Sequence, residues 1–208
     1  MIHLRRTSTI RIWHDCVALL ASHCYKQVSP PLLLELAMNI PDDRFDAELD
    51  LKFVREVPLP PEAIWAAWTQ PEHIVRWFTP APWRTTECQI DLRPGGLFHT
   101  EMKGPQEGEQ FSGVGCYLDI VPNRRLVWTN ALLPGFRPNP SFADSSCGDF
   151  PFTAIIELEP ISIDGSGSTR YTAIVKHRDA AGRDQHASMG FEEGWGKALE
   201  QLVELMRT

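Results

Sequence analysis

The stretch PLPPEAIWAAWTQPEHIVRWFTPAPW, residues 58–83, decides the fold of this chain. Proline removes a backbone donor and clashes with the preceding turn, so a segment this rich in proline does not form one long helix. Pro60 and Pro61 stand where a first helix would begin, and Pro71 where a second would begin, and a missing N–H costs nothing at either place. The sequence therefore predicts two short helices with aromatic faces. Those faces either plug one end of a core or line the mouth of a ligand cavity.

Extended segments surround this helical pair. The run LKFVREVPL alternates apolar and polar positions before it, and several similar runs follow, separated by turn signals such as PGG at 94–96 and DGSG at 164–167. Strands joined at such short spacing pair as antiparallel hairpins and meanders. The final stretch, residues 184–206, is predicted to be one long amphipathic helix.

This order of elements predicts an α+β domain with an internal cavity. An antiparallel sheet has one face to bury, and a single long helix covers that face only if the sheet curls around it. A curled sheet leaves a wedge of space at one end of the helix. The two short helices would close that wedge.

Composition limits the functional classes. The chain has 208 residues, 43% hydrophobic and 23% charged, which is ordinary for one globular domain. Its net charge of −7 argues against nucleic acid as the main partner, because such partners require a basic surface. No apolar run approaches the roughly 18 residues that a membrane span needs.

The five cysteines contain no C-x-x-C pair and are odd in number, which argues against a zinc site and against a disulfide framework. Cys88 and Cys116 lie in strand-like runs, where a free thiol acts as a small apolar group. A reducing, cytoplasmic location is expected.

Residues 1–48 are predicted to be an N-terminal extension, followed by one domain over residues 49–208. Residues 1–34 carry four basic residues against a single acid, unlike the acidic remainder. Several explanations fit: an organelle transit peptide, an upstream translation of a gene whose start is Met38, or an appended helix over Ile12–Tyr25. A poorly ordered or loosely packed extension is expected.

From about Leu51 onward the chain resembles a known superfamily. The pieces that carry the resemblance are VPLPPEAIWAAWTQPEHIVRWF, LRPGGLFHTEMKGPQEGEQFSGVG, IVPNRRLVWTNAL and HASMGFEEGWGKALEQLVELM, in that order. They are similar to the START-like, birch-pollen-allergen-like helix-grip superfamily, in the branch named for the C-terminal domain of the activator of the heat-shock-protein-90 ATPase. The resemblance implies a helix-grip fold, with about six or seven strands curved around a long C-terminal helix. Members bind apolar ligands, act as cyclases, sequester drugs or contact a chaperone.

A set of aromatic and polar residues is predicted to line the cavity. Its members are Trp65, Trp68, Trp77, Phe78, Trp83, His99, Glu101, Tyr117, Trp128, Met189, Glu193 and Trp195. No catalytic residue is assigned, because no nucleophile with a matched base and orienting group is visible.

The polar candidates each have a plain alternative. His99 and Glu101 share one face of a strand, either the inner face, where they could orient a ligand, or the outer face, as a solvated pair. His186 is expected to be a surface or capping residue, and solvation is the default for His177. Their spacing with Glu193 matches no metal-ligand motif, so neither a metal nor a cofactor is predicted.

Residues 133–151 form a long, proline-rich loop with phenylalanine side chains. It is interpreted as a flap over a cavity entrance or as part of a dimer contact. The leading function is binding of a small hydrophobic or aromatic ligand. The alternatives are a cyclase- or hydrolase-type enzyme and a chaperone-associated, stress-related module. The expected partners are such a ligand and, further, a second copy of the chain or a chaperone.

Overall fold

The computed structural model describes residues 45–142, 150–161 and 167–207. The strands are β1 (Asp50–Val57), β2 (Arg84–Ile90), β3 (Leu97–Lys103), β4 (Gln110–Val121), β5 (Arg125–Thr129), β6 (Leu132–Leu133), β7 (Arg137–Pro138), β8 (Phe152–Pro160) and β9 (Thr169–His177). The α-helices are α1 (Pro61–Thr69), α2 (Pro71–Trp77), α3 (Ala180–Ser188) and α4 (Phe191–Met206), with a 3-10 turn at Pro140–Phe142. The expectations for residues 1–44 and for Cys16, Cys24 and Cys147 fall outside the described residues.

The main sheet has seven antiparallel strands in the order β1-β9-β8-β5-β4-β3-β2. It is flanked by a two-stranded ribbon of β6 and β7. With the helices, this architecture confirms the predicted α+β helix-grip fold. β1 and β2 form the two edges of the sheet, and α1 and α2 connect them along the chain.

The two short helices form as the prolines predict. Pro61 and Pro71 each stand at the first helical turn, and Gln70 is both the C-cap of α1 and the N-cap of α2. The Trp77 indole nitrogen donates to the Ala67 carbonyl at 2.9 Å, which fixes α2 against α1. The pair therefore behaves as one small layer.

One polar side chain joins this layer to the closing helix. Gln201 of α4 donates through Nε2 to the carbonyls of Trp77 at 2.8 Å and Thr79 at 3.0 Å. Its Oε1 accepts from the Ala81 amide at 3.1 Å. Nothing in the sequence pattern singles out this glutamine.

The sheet has an apolar cluster on each face. The large inner cluster packs against α1, α2 and α4 and includes Phe53, Phe98, Ile156, Tyr171 and Leu202. A small outer cluster consists of Val127, Ile155 and Ile174, with Leu118 packed against it. Strand alternation sorts side chains between the two faces, so neighbours in sequence meet different surroundings.

The predicted long C-terminal helix is confirmed as α4, but it begins at Phe191, so the helix expected over residues 184–206 is divided in two. Gly190 adopts φ +84°, a left-handed conformation that separates α3 from α4. Residues 180–182 form the start of α3, where the Asp179 side chain caps the helix by accepting from the Gly182 amide at 2.9 Å. His186 and Met189 therefore do not share a helix with Glu193.

The predicted flap is anchored at its base. Asn130, just after β5, donates through Nδ2 to the Phe150 carbonyl at 3.2 Å. Its Oδ1 accepts from the Phe152 amide at 2.8 Å, and its own carbonyl accepts from Asn139 Nδ2 at 3.0 Å. Within the expected 133–151 loop, the described residues form β6, β7 and the 3-10 turn.

Across the part of the chain that the structure describes, no helix combines the length and the apolar character needed to span a membrane.

Candidate functional site

Aromatic rings from α1, α2, β3 and β5 meet on the inner face of the sheet. Trp68 of α1 lies edge-on to Trp77 with ring centroids 4.9 Å apart, and Phe78 stands 5.8 Å from Trp68. Phe78 in turn reaches Phe98 of β3 at 5.6 Å. Phe98 contacts Trp128 of β5 at 5.0 Å. These edge-to-face contacts form a continuous aromatic wall that runs from the helices to the strands.

The pairing of β4 with β5 positions the rings that the sheet contributes to this wall. Tyr117 and Trp128 are direct partners across β4 and β5, and the Tyr117 ring lies 5.7 Å from that of Phe98. Gly115 provides the space beside them, since a Cβ there would stand 3.1 Å from Trp128 Cε3 and 3.1 Å from the Thr129 carbonyl. All three rings are almost fully buried.

Three polar atoms of this wall have no hydrogen-bond partner. They are the Tyr117 hydroxyl and the Trp128 indole nitrogen on the sheet, and the Trp68 indole nitrogen on α1. Other buried donors nearby are paired, as when Trp195 Nε1 donates to the Tyr171 hydroxyl at 3.1 Å. The Trp68 indole lies beside that same hydroxyl, but its N–H does not meet the geometry of a hydrogen bond. Buried polar groups are nearly always satisfied, so each exception calls for an explanation.

The unpaired groups are neutral donors. Burial raises the pKa of the Tyr117 phenol, and the nearby Cys88 thiol raises it further. Burial likewise raises the pKa of Cys88 to about 12. Neither group ionises near neutral pH, so the wall offers O–H and N–H donors without charge.

His99 and Glu101 lie on the face of β3 opposite Phe98, which corresponds to the outer-face alternative. His99 Nε2 is 3.0 Å from Glu101 Oε1, and Ser112 of β4 donates to the same oxygen at 2.6 Å. This Ser112 bond is the main cause that lowers the pKa of Glu101, with His99 contributing further. The three side chains satisfy one another at the surface, away from the aromatic wall.

The remaining predicted site residues are dispersed. Glu193 is exposed and lies outside the inner cluster. Its carboxylate accepts a hydrogen bond from Lys197 at 2.7 Å. Met189 is 71% exposed. Trp65 and Trp195 pack against the inner cluster while partly exposed. Trp83, also partly exposed, lies near the β3–β4 turn.

A pair of histidines in contact, His177 buried and His186 half-buried, was not predicted. His177 donates from Nδ1 to the Leu49 carbonyl at 3.0 Å, so its Nε2 accepts from His186 Nδ1 at 3.0 Å. Burial lowers the pKa of both rings, that of His186 to about 4. Phe150 and Phe191 enclose the pair. The pair joins a strand end to α3, a contact that residue spacing does not reveal.

Tyr171 is a further inner-face residue that sequence reasoning missed. A signal existed, because Tyr171 alternates with Ala173 and Val175 in the run TRYTAIVKH, and all three are buried. That period places them on one face of β9.

A groove lies elsewhere, between β1 and the C-terminal half of α4. Its volume is about 690 Å³. Apolar side chains of Phe53, Val57, Leu199 and Val203 line it, and charged residues surround them. Phe53 links this groove to the inner cluster, since its ring stands 6.5 Å from that of Tyr171.

Comparison with known proteins supplies the family. Residues 58–207 match the family model described as Activator of Hsp90 ATPase homolog 1-like protein. No curated protein matches the chain.

Solved structures show the same fold. A protein from Nitrosomonas europaea is 43% identical over 78% of this chain and 97% of its own, with a TM-score of 0.69. A protein from Rhodobacter sphaeroides shares the fold with 22% identity over 78% of this chain and 95% of its own, and a TM-score of 0.63. A protein from Arthrobacter aurescens shares it with 24% identity over 77% of this chain and 87% of its own, and a TM-score of 0.63.

Proposed function

The chain belongs to the family of Activator of Hsp90 ATPase homolog 1-like proteins, and from its inner face we propose that it binds a small, neutral, largely aromatic ligand. The ligand would lie against the aromatic wall between the helices and the sheet. Apolar surfaces with a few polar groups that fix orientation are typical of small-molecule sites.

The observation that carries this proposal is the pair of unpaired donors on Tyr117 and Trp128. Leaving a buried polar group without a partner costs roughly 1–3 kcal/mol. A ligand with a carbonyl, ether or phenol oxygen between these residues would accept from one or both donors. The same polar pair disfavours a pure hydrocarbon, because the donors would remain unpaired.

Charge supports a neutral ligand. The described inner-face residues that form the wall are aromatic or aliphatic, and the raised pKa of Tyr117 keeps its phenol protonated. An ionised ligand would lose its hydration without meeting an opposite charge.

Two probes of one shape test the proposal: fluorene, a hydrocarbon, and 9-fluorenone, which adds a carbonyl oxygen. We expect 9-fluorenone to bind more tightly, measured by quenching of tryptophan emission. Tyr117→Phe should weaken 9-fluorenone about tenfold, the value of roughly one hydrogen bond, and leave fluorene unchanged. Binding should also raise the melting temperature of the protein.

Tyr171→Phe is the matched control, since its hydroxyl already accepts a hydrogen bond from Trp195. It should affect both probes alike. Absence of saturable binding by either probe, or an equal loss of both in Tyr117→Phe, contradicts the proposal.

A second candidate is a chaperone-associated module, favoured by the description of the matching family. Titration of the protein with the host's Hsp90-class chaperone, with ATP turnover as the readout, tests it. Unchanged turnover at saturating protein would contradict this second candidate and leave ligand binding to be judged by the probes.

A further inference from the structure

The open edge of β1 is arranged to pair with another strand. Among the described residues, β9 is the sole neighbour of β1 in the sheet. The His177 amide donates to the Leu49 carbonyl at 3.2 Å, so Leu49 and every second residue after it direct their backbone groups toward β9. The residues between them direct theirs away. Val54 agrees, because its carbonyl accepts from the side chain of Arg55 at 3.0 Å rather than from β9.

Lys52, Val54 and Glu56 are therefore the residues whose backbone groups face the open side. All three side chains are exposed, on the outer face of the strand. The closing helix α4 faces β1 from the inner side, across a groove of about 690 Å³. The described part of β1 thus presents backbone donors and acceptors to a second strand.

We infer that this edge binds a second copy of the same chain, β1 against β1, antiparallel about a two-fold axis at Val54. On the outer face the strand reads positive, apolar, negative at positions 52, 54 and 56. A two-fold axis at Val54 places Lys52 of each copy opposite Glu56 of the other copy. This pair therefore occurs twice in the dimer. Opposite charges that face each other across strands stabilise the pairing.

Other registers fit poorly. An antiparallel partner must also direct backbone groups across the edge, so the axis passes through a residue and not between two. An axis at Phe53 places Asp50 opposite Glu56, which are like charges. An axis at Arg55 places Lys52 opposite Pro58 and Glu56 opposite Val54, so neither charge meets an opposite charge. The Val54 axis is the one of these that pairs unlike charges.

The bond from Arg55 to the Val54 carbonyl does not prevent this pairing. A carbonyl oxygen accepts two hydrogen bonds, so it can also accept from the Val54 amide of the other copy. One strand pair buries less surface than the roughly 1,200 Å² of stable complexes. We therefore expect a reversible dimer whose population depends on protein concentration.

A charge-reversal cycle tests the pairing in the full chain. Sedimentation velocity over a concentration series gives the dimer dissociation constant. Lys52→Glu and Glu56→Lys should each raise that constant about tenfold, because each places like charges in contact twice per dimer. The double variant should restore the wild-type value. Glu87→Lys, on the opposite edge strand β2, is the control and should leave it unchanged.

A cysteine scan tests the register. Only residue 54 faces its own copy, with Cα atoms about 5.5 Å apart in a hydrogen-bonded pair. That distance is within the range of disulfides. Val54→Cys should form an intermolecular disulfide on mild oxidation, above the background of the native cysteines. Lys52→Cys and Glu56→Cys should not exceed that background.

Three results would overturn the inference. One is a chain that stays monomeric up to millimolar concentration, which would mean that the edge charges protect β1 from pairing. Another is a dimer that both single reversals leave intact. The third is a double variant that stays dissociated although its circular dichroism and melting temperature match the wild type.

Discussion

The two faces of the β3–β4 strand pair treat their polar groups in opposite ways. On the outer face, Ser112, His99 and Glu101 bond to one another within 3.2 Å. On the inner face, Tyr117 and its neighbour Trp128 keep polar atoms that bond to nothing. The outer cluster resembles a catalytic set in its residue types but is satisfied and partly open to solvent. The inner pair consists of ordinary core residues, yet its unpaired donors are where a ligand would gain most.

The largest expected difference in the free energy of unfolding is between substitutions at two adjacent residues of β3. Phe98→Ala should lower the free energy of unfolding by about 3–5 kcal/mol, because it removes a buried ring from the inner wall. His99→Ala, one residue later on the outer face, should lower it by less than about 1 kcal/mol. Urea denaturation of both variants measures the difference. Similar losses would mean that the two faces of β3 contribute equally.

The histidines extend the comparison to pH. Burial holds the pKa of His186 at about 4, below its ordinary 6.5, so the folded state binds fewer protons between these values. The contribution of His186 to the free energy of unfolding should be fully present above pH 6.5 and should decline as the pH falls toward 4. Partial exposure reduces the expected loss to on the order of 1–2 kcal/mol.

His186→Gln isolates this contribution from that of the carboxylates. Melting temperatures of wild type and variant should converge as pH falls from 7 to 4. A constant difference between them across that range would show that the histidine pair does not titrate with folding.

The two buried tyrosines of the inner face should respond with opposite signs. Tyr117→Phe removes an unpaired hydroxyl and should raise the free energy of unfolding by up to about 1 kcal/mol in the absence of ligand. Tyr171→Phe removes the acceptor of Trp195 and should lower it by about 1 kcal/mol. Chemical denaturation measures both. A loss of stability in Tyr117→Phe would indicate that its hydroxyl is satisfied in solution.

The smallest effect is expected on the outer face. Glu101→Gln should change the free energy of unfolding by less than about 1 kcal/mol, since exposed ion pairs contribute little. It should also leave binding of 9-fluorenone unchanged. A loss of binding in this variant would show that the ligand reaches the outer cluster, against the division between the faces.

The sequence was sufficient for the fold but not for the hydrogen bonds of the site. Proline positions placed α1 and α2, and period-two runs placed the strands, because both signals act locally. The break at Gly190 was missed, since a glycine inside an amphipathic pattern does not show its φ angle. The sequence also left open which face of the sheet His99 lies on, because the alternation of a strand defines two faces without showing which one is buried. Gln201 and the histidine pair depend on contacts between distant segments.

The clamp formed by Asn130 has a consequence for how this chain can be modified. It fixes the chain at Phe150 and Phe152, while Asn139 bonds back to Asn130 from the other side. The chain is thus held on both sides of residues 143–149 by hydrogen bonds that those residues do not make. Insertions of new sequence between Phe142 and Phe150 should therefore be tolerated, which makes this the natural place to graft a reporter peptide.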